Sequence, residues 1–97
     1  MKTIIAEIRP EIEFPQRGET IISPKYAFRV GVAGAADRVD LSIDHGRWLP
    51  CRNAAGYWWY EWSGYDDGRH TVKARARGRD GRWLVSLPHD FLVAATA

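Results

Sequence analysis

Between Asp66 and Gly81 the chain reads D-D-G-R-H-T-V-K-A-R-A-R-G-R-D-G, and this stretch restricts the possible folds more than any other. Val72, Ala74 and Ala76 alternate with Lys73, Arg75 and Arg77. Successive side chains of a strand point to opposite faces, so strict alternation sets an apolar face against a basic one. Asp67-Gly68 before the run and Asp80-Gly81 after it are turn dipeptides, and Trp83-Leu84-Val85 follows the second. The stretch therefore predicts a β-hairpin with one face in a core and the other at a surface.

The same alternation recurs. Tyr26, Phe28, Val30 and Val32 form one apolar face, with Ala27, Arg29 and Gly31 opposite. Val39, Leu41 and Ile43 point inward on this pattern, and Asp40, Ser42 and Asp44 outward. Asp44-His45-Gly46 then turns the chain into Arg47-Trp48-Leu49-Pro50-Cys51, a second hairpin. Tyr57 to Trp62 reads as a strand that is aromatic on both faces. Thr3 to Arg9 reads as a first strand, which Pro10 either ends or places at a sheet edge. Glu11 to Phe14 adds a short extended piece, and Phe91 to Val93 a last strand. The run Gly31 to Ala36 reads as a loop, because two glycines and no amphipathic stripe leave a short helix marginal. Asn53 to Gly56 reads as a turn. Seven or eight short strands without helices predict one all-β domain over residues 1–97, a sandwich in preference to a small barrel. Its expected core holds Val39, Leu41, Ile43, Trp48, Val72, Ala74, Ala76 and Val85.

Ninety-seven residues suffice for one hydrophobic core, and twelve aromatic side chains supply bulk to it. Cys51 is the single cysteine, so no intrachain disulfide forms and the core holds by packing. The apolar run after Met1 is too short for a signal peptide and is broken by Glu7 and Arg9, and no segment reaches transmembrane length. The expectation is a soluble protein made in the cytoplasm, without membrane insertion. The formal charge of +2 is unevenly spread. Residues 1–68 carry eight basic and ten acidic side chains, whereas residues 69–97 carry six basic and two acidic.

Asp66-x-Gly68-x-His70-x-Val72 resembles the D-x-G-x-Y-x-C signature of immunoglobulin domains, with His in the Tyr position and Val in the Cys position. In that family the Tyr anchors a corner by bonding to nearby backbone, a role the resemblance passes to a ring nitrogen of His70. Val39-Asp40-Leu41-Ser42-Ile43-Asp44-His45-Gly46-Arg47-Trp48 looks like the V-x-V-S-x-D-G-G-x-x-W hairpin of bacterial immunoglobulin-like modules of the E-set or fibronectin type III kind. The C-terminal dimerisation domain of molybdenum-containing sulfite oxidases is one such module. The resemblance covers roughly residues 26–87 and speaks to fold more than to function, since this sandwich hosts many tasks. It implies an immunoglobulin-like antiparallel β-sandwich of about seven strands, an accessory or interaction module with no molybdenum cofactor of its own.

Two surfaces are candidates for partner binding. The first is the aromatic strand of Tyr57, Trp58, Trp59, Tyr60 and Trp62, of which alternation forces about half outward unless both faces are covered. Outward rings suit a protein partner or stacked sugar rings. The competing account buries one face and shields the other with loops or Arg stems. The second is the row Lys73, Arg75 and Arg77, whose cations stand roughly 7 Å apart on one face. An anionic surface would meet such a row. The alternative is a solvated face on which Arg stacks on Trp or pairs with cross-strand acids. The basic excess is small for a nucleic-acid binder, so no nucleic-acid partner is expected.

No pair among His45, His70 and His89 has a recognised metal-ligand spacing, and Asp44-His45-Gly46 and Asp66-Asp67-Gly68 read as turns in which Asp bonds local backbone and Gly takes positive φ. The serines lie in no nucleophile motif, and Cys51 follows Pro50 with no helix N-terminus to lower its pKa. The sequence thus points to a non-enzymatic module without cofactor or metal, whose partner is another protein or a second copy of itself in a homodimer. A carbohydrate-binding module using exposed Trp and Tyr is the alternative.

Overall fold

The computed structural model describes residues 8–95. Among them are ten strands and no helix: β1 (Arg9–Phe14), β2 (Thr20–Ile21), β3 (Lys25–Ala33), β4 (Ala36–Ile43), β5 (Leu49–Pro50), β6 (Arg52–Ala54), β7 (Tyr57–Ser63), β8 (Gly68–Gly78), β9 (Trp83–Val85) and β10 (His89–Val93). One sheet has the order β1-β3-β7-β6 and the other β2-β10-β8-β4-β5, with β9 paired to β8 beyond the end of β10. The pairings are antiparallel except that β2 runs parallel to β10. This is an immunoglobulin-like β-sandwich.

The long β8 organises the second sheet, as its alternation predicts. Val72, Ala74 and Ala76 are wholly buried, and β4 pairs along the same segment, setting Ile43 opposite Val72, Leu41 opposite Ala74 and Val39 opposite Ala76. From the facing sheet come Phe28 and Val30 of β3, and Trp58, Tyr60 and Trp62 pack against the same core. Small side chains on β8 thus meet large ones on β7, which fills the space between the sheets without forcing either apart. Phe28, Trp62 and Phe91 meet edge to face across the core, with centroids 5.3 to 5.7 Å apart. Each such pair adds about 0.5–1.5 kcal/mol to the burial of the rings. Ile12, Ile21 and Val93 complete the core.

Several expectations need correction. Most of the Thr3–Arg9 strand lies outside the described residues, and the strand that is described, β1, runs through Pro10 to Phe14 at the edge of its sheet, where a missing N–H is tolerated. Gly31 to Ala36 is not a loop: β3 continues to Ala33, Gly34 turns at φ 95°, and β4 begins at Ala36. The turn at 53–56 shrinks to Ala55-Gly56, because Asn53 and Ala54 pair with β7. Trp48 and Val85 leave the core. Leu49 is the residue opposite Leu41, so Trp48 falls on the outer face of β4, and Val85 stands opposite Arg75 and is 55% exposed. Asp40 and Ser42 do point to the outer face, yet both are buried there.

Between β1 and β2 the chain crosses from one sheet to the other through a cis Phe14-Pro15 bond, and Pro15 is fully buried. His89 donates from Nε2 to the Pro15 carbonyl at 2.8 Å, tying the crossing to the start of β10. Burial pushes the His89 imidazole below the usual pKa of histidine, against the opposing pull of that carbonyl.

Candidate functional site

The outer face of the second sheet carries the basic row, and it is not free. The Arg75 guanidinium lies 4.4 Å from the centre of the Trp48 ring and 4.0 Å from that of Trp83. Lys73 sits 5.4 Å from Trp48, and Arg77 5.6 Å from Trp83. Cations at i, i+2 and i+4 of β8 therefore alternate with two rings supplied by neighbouring segments. Beneath them Asp40, with no exposed surface, accepts from Arg75 Nε at 2.9 Å and from Arg38 Nε at 3.4 Å, while Asp37 pairs with Arg77 at 3.0 Å. The row is thus the paired and stacked version of the two alternatives. Burial, with Asp40 beside it, pushes the half-buried Cys51 thiol up to about 12, which removes it as a nucleophile at neutral pH.

Alternation divides the aromatic strand. Trp58, Tyr60 and Trp62 face the core, so they are not surface anchors. Tyr57 and Trp59 face outward, half-buried, with rings 6.2 Å apart and inclined at 76°. Trp59 Nε1 donates to the Ala54 carbonyl at 2.9 Å. Arg29, opposite Trp59 on β3, lies over both Tyr57 and Phe14 at 4.4 and 4.6 Å. Its Nε meets Glu13 Oε1 at 2.7 Å without an aligned N–H, an ion pair rather than a directed hydrogen bond. Gly31 makes room for that carboxylate, since a Cβ there would stand 2.5 Å from Glu13 Oε2.

Next to this cluster the side of the sandwich opens into a groove of about 770 Å³ between β1 and the segment Leu84–His89. Phe14, Glu13 and Arg29 form part of its wall, so the groove is continuous with the outer aromatics. Its far lip presents Val85 and Leu87, the latter 80% exposed. Among the described residues β1 pairs with β3 alone and β9 with β8 alone, so each has one edge without a ladder partner, and the two strands approach each other at the groove. Sequence reasoning missed this surface. Its only signal was Val85-x-Leu87 before Pro88, which resembles any strand end.

At another end of the sandwich lies the corner. Gly68 adopts φ 120°, and two residues later the His70 ring meets the Asp66 carbonyl at 2.7 Å through Nε2 and Asp44 Oδ2 at 2.6 Å through Nδ1. Asp44 was not among the expected corner residues. In the Asp44-His45-Gly46 turn, Asp44 and His45 hold the positive φ, at 54° and 58°, in place of Gly46. Among the described residues no three His, Cys, Asp or Glu side chains are placed to hold a metal ion.

No protein-family model and no curated protein sequence matches the chain. In three dimensions it is similar to the fibronectin(III)-like modules of CbhA from Clostridium thermocellum, with 20% identity, a TM-score of 0.69, and coverage of 92% of this chain and 99% of that one. It is also similar to part of a modular endo-β-1,4-mannanase from Cellulomonas fimi, with 25% identity, a TM-score of 0.71, and 92% and 19% coverage. An engineered protein gives 24% identity, a TM-score of 0.74, and 92% and 20% coverage. The chain has the fold of a fibronectin(III)-like module. It spans about a fifth of the two longer proteins and nearly all of the isolated module.

Proposed function

We propose that this chain is a non-catalytic accessory module that associates with protein, in the first instance with a second copy of itself, through the side formed by β1 and β9. The observation that carries the reading is the groove. It brings two open strand edges, the exposed apolar pair Val85 and Leu87, and the Arg29–Tyr57 cluster onto one surface. Open edges offer backbone groups for pairing, and an exposed apolar lip gains by being covered. Arg9, Arg17 and Arg29 are interspersed with Glu11 and Glu13 along the groove, so the surface is of mixed charge and suits an isologous contact. The likeness to modules of multi-domain proteins supports an accessory role.

The glycan reading has less support. A sugar platform needs coplanar exposed rings, whereas Tyr57 and Trp59 stand nearly perpendicular and half-buried.

Sedimentation equilibrium tests the proposal. The native chain should show a concentration-dependent dimer, and Leu87→Asp should remain monomeric with its stability within about 0.5 kcal/mol, because the side chain is exposed. A dimer unaffected by Leu87→Asp or Val85→Asp would move the contact elsewhere, and a monomer at every concentration would remove self-association.

A further inference from the structure

The corner around His70 holds a proton in a way that its geometry dictates. Nδ1 lies 2.6 Å from a carboxylate oxygen and Nε2 2.7 Å from a peptide carbonyl. A carbonyl only accepts, and an ionised carboxylate only accepts. Both ring nitrogens must therefore carry hydrogen, and only the imidazolium satisfies both contacts.

What the ring joins matters. Asp44 also accepts the Thr71 N–H through Oδ1 at 3.0 Å, and its own N–H donates to the Thr71 carbonyl at 2.8 Å. These contacts restrain a turn in which two consecutive non-glycine residues, Asp44 and His45, occupy the left-handed region. Such residues persist only where the surroundings hold them. The His70 ring stacks on Phe91 of β10 and meets Trp62 of β7 edge-on, at 5.6 and 5.2 Å. Trp62 in turn stacks on Tyr65, whose hydroxyl donates to the Ser23 carbonyl. One protonated ring thus connects the β4–β5 turn, the β7–β8 loop and the core.

We propose that His70 is a pH-sensitive latch, closed as the imidazolium and opened by loss of one proton, which removes the side-chain bond from β8 to Asp44 and loosens the Asp44–His45 turn while its backbone bond to Thr71 remains. The charged groups around it favour the closed form. Asp44 and His45 come from the turn, Asp66 from the loop, Arg69 from β8 itself and Asp90 from β10, so the carboxylates outnumber the one arginine. Burial alone lowers the basicity of the ring, but the bonds to Asp44 and Asp66 and their charges outweigh it and hold His70 above the usual value. When the proton leaves, one nitrogen presents a lone pair to an oxygen, and that contact must break. The Asp44 side chain is 48% exposed and swings into water more easily than the Asp66 carbonyl can move. The neutral ring therefore keeps Nε2–H on Asp66, and the Asp44 side chain is the part released, which leaves the turn held by its backbone bond to Thr71.

Imidazole nitrogen NMR across pH 5 to 10, followed together with amide exchange of Asp44, His45 and Thr71, tests the latch. Both His70 nitrogens should carry protons at neutral pH, with a midpoint above the ordinary histidine value of about 6.5. The turn amides should lose protection at that same midpoint, beyond the intrinsic base catalysis seen in the exposed loop at Arg79 to Gly81. Asp44→Asn should move the midpoint down, and His70→Gln should leave a folded chain whose turn exchange no longer has a midpoint. A single neutral tautomer at pH 7, or turn exchange that ignores the His70 titration, would overturn the proposal.

Discussion

Asp40 and Arg75 stand opposite each other across the β4–β8 ladder and are joined at 2.9 Å, the carboxylate wholly buried and the guanidinium three-quarters so. The acid is buried because Trp48 and Trp83 close over Arg75 from both sides. Asp40→Ala leaves Arg75 under two rings without its counter-charge and should cost about 3–5 kcal/mol, the usual penalty for breaking a buried pair from one side. Urea denaturation measures it. A loss below 1 kcal/mol would mean that the stack holds without its acid.

Parity along β7 separates two tryptophans that are close in sequence. Trp62 touches Phe28 and Phe91 within the core, so Trp62→Ala should cost about 3–5 kcal/mol. Trp59 lies on the outer face with one hydrogen bond, and Trp59→Ala should cost about 1 kcal/mol. Equal losses in thermal unfolding would contradict the inward and outward assignment.

The half-buried His70 and the buried His89 act on stability in opposite directions. His70 is held above its ordinary pKa, so its contribution is fully present below about pH 6.5 and is lost as pH rises through the folded value. His89 is held below its ordinary pKa, so a cost sets in as pH falls beneath about 6.5. The melting temperature should therefore pass through a maximum in the neutral region. His70→Gln should flatten the alkaline side and His89→Gln the acid side near that maximum. A profile unchanged by both substitutions would contradict these roles.

Cys51, with its thiol pushed up to about 12, should react with a maleimide or disulfide reagent far more slowly at pH 8 than an unfolded control. Equal rates would show that the strand edge at Leu49–Cys51 opens freely.

The alternation of β3, β4 and β8 was legible because each strand has one consistently apolar face, and the two central hairpins follow from it. What one strand's pattern does not contain is what lies across from it. Val85 looks like a core residue until its partner Arg75 is known, and Trp48 until Leu49 takes the place opposite Leu41. Asp40 reads as solvent-facing because an acid on an outer face usually is. Its burial depends on two rings and two arginines brought from β9, the β4–β5 turn, β4 and β8. His70 was legible as a corner from Asp66-x-Gly68, since its bond to the Asp66 carbonyl is local. Asp44, 26 residues away, was not. The groove depends on two distant strand edges and left almost no trace in the sequence.

The proposed association places the β1 and β9 side against the partner. Amide NMR spectra recorded from micromolar to millimolar concentration test it residue by residue. Shifts that grow with concentration should gather at Glu11, Ile12, Phe14, Val85 and Leu87 and vanish in Leu87→Asp. Shifts gathered at Lys73, Trp48 and Trp83 instead, or none at any concentration, would contradict it.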